Sequence, residues 1–273
     1  MLKEMLKNVR EKTPLIHNIT NYVTVNDCAN ILLACGASPI MADDIGEVEE
    51  ITSICTGLNI NIGTLNERTI AAMLAAGEKA NELNHPTVLD PVGAGASKLR
   101  THTAQELLEQ VKFSVIRGNI SEIKSLYLGS TSTKGVDADV ADFVNKENLP
   151  QTVKFAKEFA KSTGSVIVIT SAIDIVADSK TAYCIHNGDA MMSRITGSGC
   201  QLSAMMAAYI SANPENTLKA ALACVCAMGL CGEIAKKRMS EKDGNSTYRN
   251  YLIDAVYNLS PEDLEKGARY EIG

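Results

Sequence analysis

The strongest constraint in this sequence is a rhythm. Short apolar segments of strand length alternate with longer amphipathic ones almost from the first residue. Strands are expected at Pro14–His17, Pro39–Ala42, Leu58–Ile62, Thr87–Asp90, Ser114–Arg117 and Val166–Thr170, with helices between them near 20–34, 46–55, 66–83, 100–111, 119–127 and 150–162. In the third of these helices Ile70, Met73, Leu74 and Ala80 fall on one face and Glu67, Arg68, Glu78 and Lys79 lie off it. Strand–helix alternation of this kind builds βαβ units, so the fold class is α/β with a mostly parallel central sheet flanked by helices. After Thr170 the rhythm changes. Asp174–Ala177 and Ala182–Ile185 flank a polar tetrapeptide and read as a hairpin. From Gly199 onward the chain is helix-rich, through 200–212, 214–237, 245–258 and 261–268.

The 273 residues carry no linker, repeat or low-complexity tract, so a single domain over 1–273 is the economical reading. The polar stretch Gly129–Asn148 is the expected flexible excursion. A net charge of −6 without a basic run argues against nucleic acid as a partner. The N-terminal residues intersperse charge with apolar residues, unlike a signal peptide, and no uncharged apolar run reaches the roughly 18 residues of a membrane span. A cytoplasmic protein without membrane contact is expected. Its eight cysteines form no C-x-x-C pair and sit in apolar helical surroundings, so buried thiols are favoured over disulfides or zinc.

In an open parallel sheet, ligands bind beyond the carboxyl ends of the strands, and the residues just after each strand are therefore the candidates for chemistry. Thr196-Gly197-Ser198-Gly199-Cys200 opens a strongly helical run. Glycines at a helix start leave backbone N–H groups free at the positive end of the dipole, so Gly197, Ser198 and Gly199 form a candidate anion hole; a plain turn into a packed helix fits the same residues. Cys200 at that start is expected to have its pKa lowered by the dipole, making it a candidate proton acceptor. A small buried hydrophobe is the other reading, and covalent thiol catalysis, which needs a nearby histidine such as His17, is a third.

Asp90, ending a strand before Pro91-Val92-Gly93-Ala94-Gly95, is placed to hold Mg²⁺, or simply to make an Asx turn. Arg117-Gly118-Asn119-Ile120-Ser121-Glu122 brings together a cation suited to phosphate oxygens and a carboxylate, Glu122, that could join Asp90 at the metal; Asn119 and Glu122 also have capping-box spacing. His17 to Val23, Met41 and Asn59 to Thr64 fall on the same rim and could line a polar pocket.

The ordered series His17-Asn18-Ile19-Thr20-Asn21, Gly36 to Ala42, Asn61-Ile62-Gly63-Thr64-Leu65, Asp90 to Gly95, Arg117-Gly118-Asn119 and Gly197-Ser198-Gly199-Cys200 resembles hydroxyethylthiazole kinases of the ribokinase-like superfamily over essentially the whole chain. The resemblance implies ATP-dependent, Mg²⁺-requiring phosphorylation of the primary alcohol of 4-methyl-5-(2-hydroxyethyl)thiazole, a step of thiamin salvage. It also implies Cys200 in the place of the general base, Met41, Gly197 and Asn21 at the thiazole, and Arg117 and Thr170 at the nucleotide. Asp90 and Glu122 would serve the metal, and the assembly would be a homotrimer with sites at subunit boundaries. Ser198 stands where alanine is common, and Ser171 where relatives often have glycine. Other readings of the same fold are a kinase for hydroxymethylpyrimidine or a sugar, a nucleotide-dependent dehydratase that repairs a cofactor, and a nucleotide sensor without turnover.

Overall fold

The computed structural model describes residues 1–130, 144, 145 and 147–273. Five parallel strands, β1 (Leu15–Ile19), β2 (Ser38–Met41), β3 (Gly57–Asn61), β4 (Thr87–Asp90) and β5 (Val115–Asn119), continue into a sixth parallel strand, β6 (Val166–Thr170). The hairpin β7 (Asp174–Ala177) and β8 (Ala182–Ile185) and a short β9 (Tyr270–Ile272) then add antiparallel strands, in the order β2-β1-β3-β4-β5-β6-β7-β8-β9. Each strand read from the sequence is present to within two residues at either end. The stretch 129–148 falls largely outside the described residues.

The helices segregate by face. α1 (Leu2–Lys12), α2 (Val25–Cys35), α8 (Ser198–Ala212), α9 (Thr217–Arg238) and α10 (Asn245–Asn258) share one apolar core, and α4 (Glu67–Glu82), α5 (Lys98–Gln110), α6 (Ile120–Ser130) and α7 (Leu149–Thr163) lie over the other. A short α3 (Val48–Ile54) packs on α4, and α11 (Pro261–Gly267) packs on α1. Local chemistry explains the boundaries. Asn66 and Thr69 form a reciprocal capping box at the start of α4, and Gly36, at φ 98°, ends α2 in the left-handed region. α8 and α9 are apolar on nearly every side because both are buried; α9 with its preceding turn, Pro214–Arg238, is long and apolar enough to cross a membrane, yet most of it lies inside the fold.

Among the described residues, helix α1, strand β9 and a 3₁₀ turn at Ala190–Arg194 escaped the sequence reading. Leu2, Met5, Leu6 and Val9 recur at helical spacing in α1 and are buried against the α8 and α9 side. β9 has three exposed residues and no alternation to betray it; its place at the sheet edge is fixed by Arg269, whose Nη1 and Nη2 donate to Glu233 Oε2 and Oε1 at 2.9 and 2.8 Å.

On the second face, Tyr127 meets Phe155 edge-on at 5.2 Å and Phe159 at 5.6 Å between ring centroids. Phe159 is fully buried. Phe159→Ala is expected to lower unfolding free energy by about 3–5 kcal/mol, measured by urea denaturation.

Candidate active site

Parallel pairing places the carboxyl ends of β1 to β6 along one rim, with Asn18 opposite Met41, Asn61 opposite Asp90, and Asn119 opposite Thr170. Because side chains alternate, Asn18, Asn59, Asn61, Asp90, Arg117 and Thr170 all lie on the face that α8 covers. The rim therefore begins as a column of polar side chains running down toward an apolar core.

Asp90 is fully buried. Its Oδ2 accepts from Asn61 Nδ2 at 2.7 Å and from Ser203 Oγ, on α8, at 2.9 Å. Its Oδ1 has no hydrogen-bond partner and lies 3.5 Å from Arg117 Nη1. Burial raises the carboxyl to about 6, against the lowering effect of Arg117, and the Glu122 charge adds to the rise. The capping box read from spacing is present: Glu122 N donates to Asn119 Oδ1 at 2.9 Å and Asn119 N to Glu122 Oε2 at 2.8 Å. Glu122 Oε1 also accepts from Gly93 N at 2.8 Å, which stitches the turn after Asp90 to the start of α6.

The N-terminus of α8 meets this rim. Gly197, at φ 82°, is its N-cap and supplies no side-chain cap, so the N–H groups of the first turn point outward without an intrahelical partner. A Cβ at Gly197 would run into Thr24 Cγ2, and one at Gly199 would lie 2.5 Å from Arg117 Nη1. Gly197 is thus required by its positive φ and close approach, and Gly199 lets the Arg117 guanidinium lie against the helix start. Arg117 Nη2 donates to Thr170 Oγ1 at 2.7 Å, while its buried Nε has no partner. Ser198 Oγ donates back to Met192 O at 3.0 Å, fixing the turn before the helix.

Arg117, Thr170, Ser198 and Gly199 open onto a cavity of about 560 Å³ lined also by the apolar Met192, Leu202, Val225 and Met228 and by the polar His186, Asn187 and Asp189. One end suits an anion and the other a flat apolar group. Asp174, unflagged by the sequence, also lines it; Asp174 Oδ1 accepts from Ser171 N at 2.8 Å, and burial pushes its carboxyl up to about 7.

Cys200 lies beside this cavity, 9% exposed, and Asn21 Nδ2 donates to its Sγ at 3.2 Å. The expected lowering of its pKa is not found. Desolvation and the nearby Asp90 charge push the thiol up, and the opposing contacts with Thr24, Asn21 and Arg117 do not offset them. The expectation weighed the helix dipole but not burial, which only the folded chain reveals. His17 does not sit at the end of its strand but within it; its Nε2 donates to Ala42 O at 2.8 Å, so its Nδ1 accepts from the Thr52 hydroxyl at 2.9 Å. With both nitrogens spent, it is no partner base for a covalent thiol. Met41 is half-buried at the end of β2 and packs against the α8-side core. The structure thus brings Asn21, Asp90, Arg117, Glu122, Thr170 and the Gly197–Cys200 turn to one rim, with Met41 two strands away from Asn61. The sequence marks Asn61 only as one of several rim residues around the end of β3, without a contact to Asp90 or Asn21, and gives Ser203 and Asp174 no site role. Asn61 carried a signal, a polar residue at the end of an apolar strand, whereas Ser203 lies in a helix with nothing to mark it.

The hydroxyethylthiazole kinase family model matches residues 6–262. The chain belongs to that family. It is 69% identical over 271 residues to a hydroxyethylthiazole kinase of Clostridium acetobutylicum, covering 99% of each chain, and 50% identical to one of Clostridium tetani, covering 97% of this chain and 96% of that one. A solved hydroxyethylthiazole kinase from Pyrococcus horikoshii superposes with a TM-score of 0.88 at 34% identity, covering 100% of this chain and 98% of the other. At 13% identity and a TM-score of 0.60, pyridoxal kinase from Staphylococcus aureus shares the fold over 95% of this chain and 97% of its own.

Within this family member the thiol environment makes a direct prediction. In ligand-free protein, alkylation at Cys200 by iodoacetamide should keep accelerating above pH 9, because the thiol is raised from its ordinary range. A plateau near neutral pH would restore the dipole-lowered thiolate.

Proposed function

We propose that this chain transfers the terminal phosphoryl group of ATP to the primary alcohol of 4-methyl-5-(2-hydroxyethyl)thiazole. The observation that carries the reading is the convergence on one rim of an uncapped helix N-terminus, the Arg117 guanidinium and the Cys200 thiol. Phosphoryl transfer asks mainly for alignment and charge stabilisation, and this arrangement supplies both.

The nucleotide would lie in the cavity, its phosphates toward Arg117, Thr170 and Gly199 and its base toward Leu202, Val225 and Met228. The residues also fit Mg²⁺. Asp90 Oδ1 is a buried carboxylate oxygen without a hydrogen bond, and Glu122 lies close enough for its charge to raise Asp90. Magnesium is commonly carried by one or two carboxylates, waters and substrate phosphates, and Asp90 with Glu122 would supply the carboxylates. Held by Asp90 and Glu122, the ion would supply positive charge against the negative charge that develops in phosphoryl transfer.

Backbone N–H groups of the Gly197–Cys200 turn would stabilise the migrating phosphoryl group, and Arg117 would offset charge on the nucleotide. Asn21 would orient the Cys200 sulfur, which in its minor thiolate form would hold the alcohol and take its proton to become the thiol, as the alcohol oxygen bonds to the phosphorus and ADP leaves. Since burial keeps most of the thiol protonated, orientation and the anion hole weigh more in this scheme than base strength. Met41, Gly197 and Asn21 would contact the thiazole. A homotrimer with sites shared between subunits fits the exposure of Tyr22, Val23 and Ile45 near the rim, at 78, 58 and 54%. Eight buried free thiols fit a reducing cytoplasm.

An ADP-release assay with the thiazole alcohol, ATP and Mg²⁺ should show turnover above the ATP-only rate; equality of the two would sink the assignment. Cys200→Ala should lower kcat, by at most the roughly 10²–10⁴-fold that a positioned acid or base is worth, with KM for the alcohol little changed. An unaltered kcat would remove Cys200 from the proton transfer and leave the kinase reading standing.

A further inference from the structure

Two asparagine side chains connect the Cys200 thiol to the Asp90 carboxylate, and their orientations are set by the backbone. Asn21 Oδ1 accepts from Thr24 N, and from Thr24 Oγ1, both at 3.1 Å. A backbone N–H is always a donor, so this atom is the amide oxygen and the other is the NH₂. That NH₂ has two hydrogens and two acceptors: Cys200 Sγ at 3.2 Å and Asn61 Oδ1 at 3.0 Å. Asn61 is fixed in the same way, because its Oδ1 also accepts from Gly63 N at 2.9 Å. Its NH₂ is thereby turned toward Asp90 Oδ2, 2.7 Å away. Gly63 itself is squeezed between the two amides: a Cβ there would lie 3.0 Å from Asn21 Nδ2 and from Asn61 Oδ1.

Asn61 is 1% exposed and does not face the cavity lined by Arg117 and Gly199. It nevertheless decides two things that the chemistry uses. Through its oxygen it aims the Asn21 N–H at the thiol. Through its nitrogen, with Ser203 Oγ at 2.9 Å, it occupies Asp90 Oδ2 and leaves Oδ1 as the oxygen without a hydrogen bond. We infer that Asn61 is a positioning residue that fixes, with one amide, both the hydrogen bond on the Cys200 thiol and which oxygen of Asp90 faces the reaction. The inference rests on the kinase reading for its catalytic consequence and on geometry alone for the thiol.

Asn61→Leu removes both polar atoms while keeping the branching and the number of heavy atoms. In ligand-free protein at fixed pH, iodoacetamide labelling of the Cys200 peptide should slow about tenfold, and at saturating substrates kcat should fall about 10–100-fold, the usual effect of losing an outer partner, with KM for the alcohol little changed. Combining it with Ser203→Ala should cost less than the product of the separate kcat losses, since both act on one carboxylate oxygen. Labelling at the wild-type rate, or kcat losses that multiply, would overturn the inference. If Asn61→Leu does not fold by its thermal melt, Asn61→Ser, which removes the same amide without bulk, carries both readouts. Should wild-type protein fail to phosphorylate the alcohol, the kinase reading falls and the labelling arm still decides the role of Asn61.

Discussion

Asp90 is a carboxylate with no solvent exposure at the end of a central strand, and the architecture around the rim is organised by the cost of putting it there. An isolated buried charge is expensive, so each neighbour supplies part of its compensation: amide and hydroxyl donors on one oxygen, a guanidinium at 3.5 Å from the other. The compensation is incomplete, since desolvation still outweighs the lowering contributions. On the proposed kinase reading, that residual cost would have a use. An oxygen left without a hydrogen bond in a dry site is a strong ligand for a hard cation.

The same carboxylate ties together elements distant in sequence. Asn61 comes from β3, Arg117 from β5 and Ser203 from α8, so the β3–β4–β5 rim and the first turns of α8 must dock correctly for Asp90 to be tolerated at all. The docking of α8 then brings Gly199 against Arg117 and Gly197 against Thr24, which leaves the helix N-terminus open toward the cavity. Two small residues at a crossing thus make a packing contact beside a helix start whose N–H groups have no intrahelical partner.

Cys200 shows the other side of burial. Its position at a helix start favours thiolate, and its surroundings disfavour it more strongly. The outcome is a thiol held in a fixed direction by Asn21 rather than a reactive nucleophile. His17, the histidine offered by the sequence as a partner for the thiol, is consumed by Thr52 and Ala42. A reaction with a loose transition state tolerates a base that is seldom deprotonated.

Much of this was legible beforehand. Apolar runs of strand length are conspicuous when strands are buried on both faces, as β1, β3, β4 and β6 are, and glycine-rich turns after them mark the rim. The Asn119–Glu122 capping box was likewise readable, because both partners lie within one turn of helix. β9 was not, since its strand character comes from pairing with β8 and from the Arg269–Glu233 fork, not from its own residues. Sequence by itself determined the element order, the parallel sheet and, through an ordered series of motifs, the family. Only tertiary structure decided the protonation tendency of Cys200, the free oxygen of Asp90 and the place of Asn61 between them. Those depend on burial and on hydrogen bonds between residues 29 to 179 positions apart, and no local pattern encodes either.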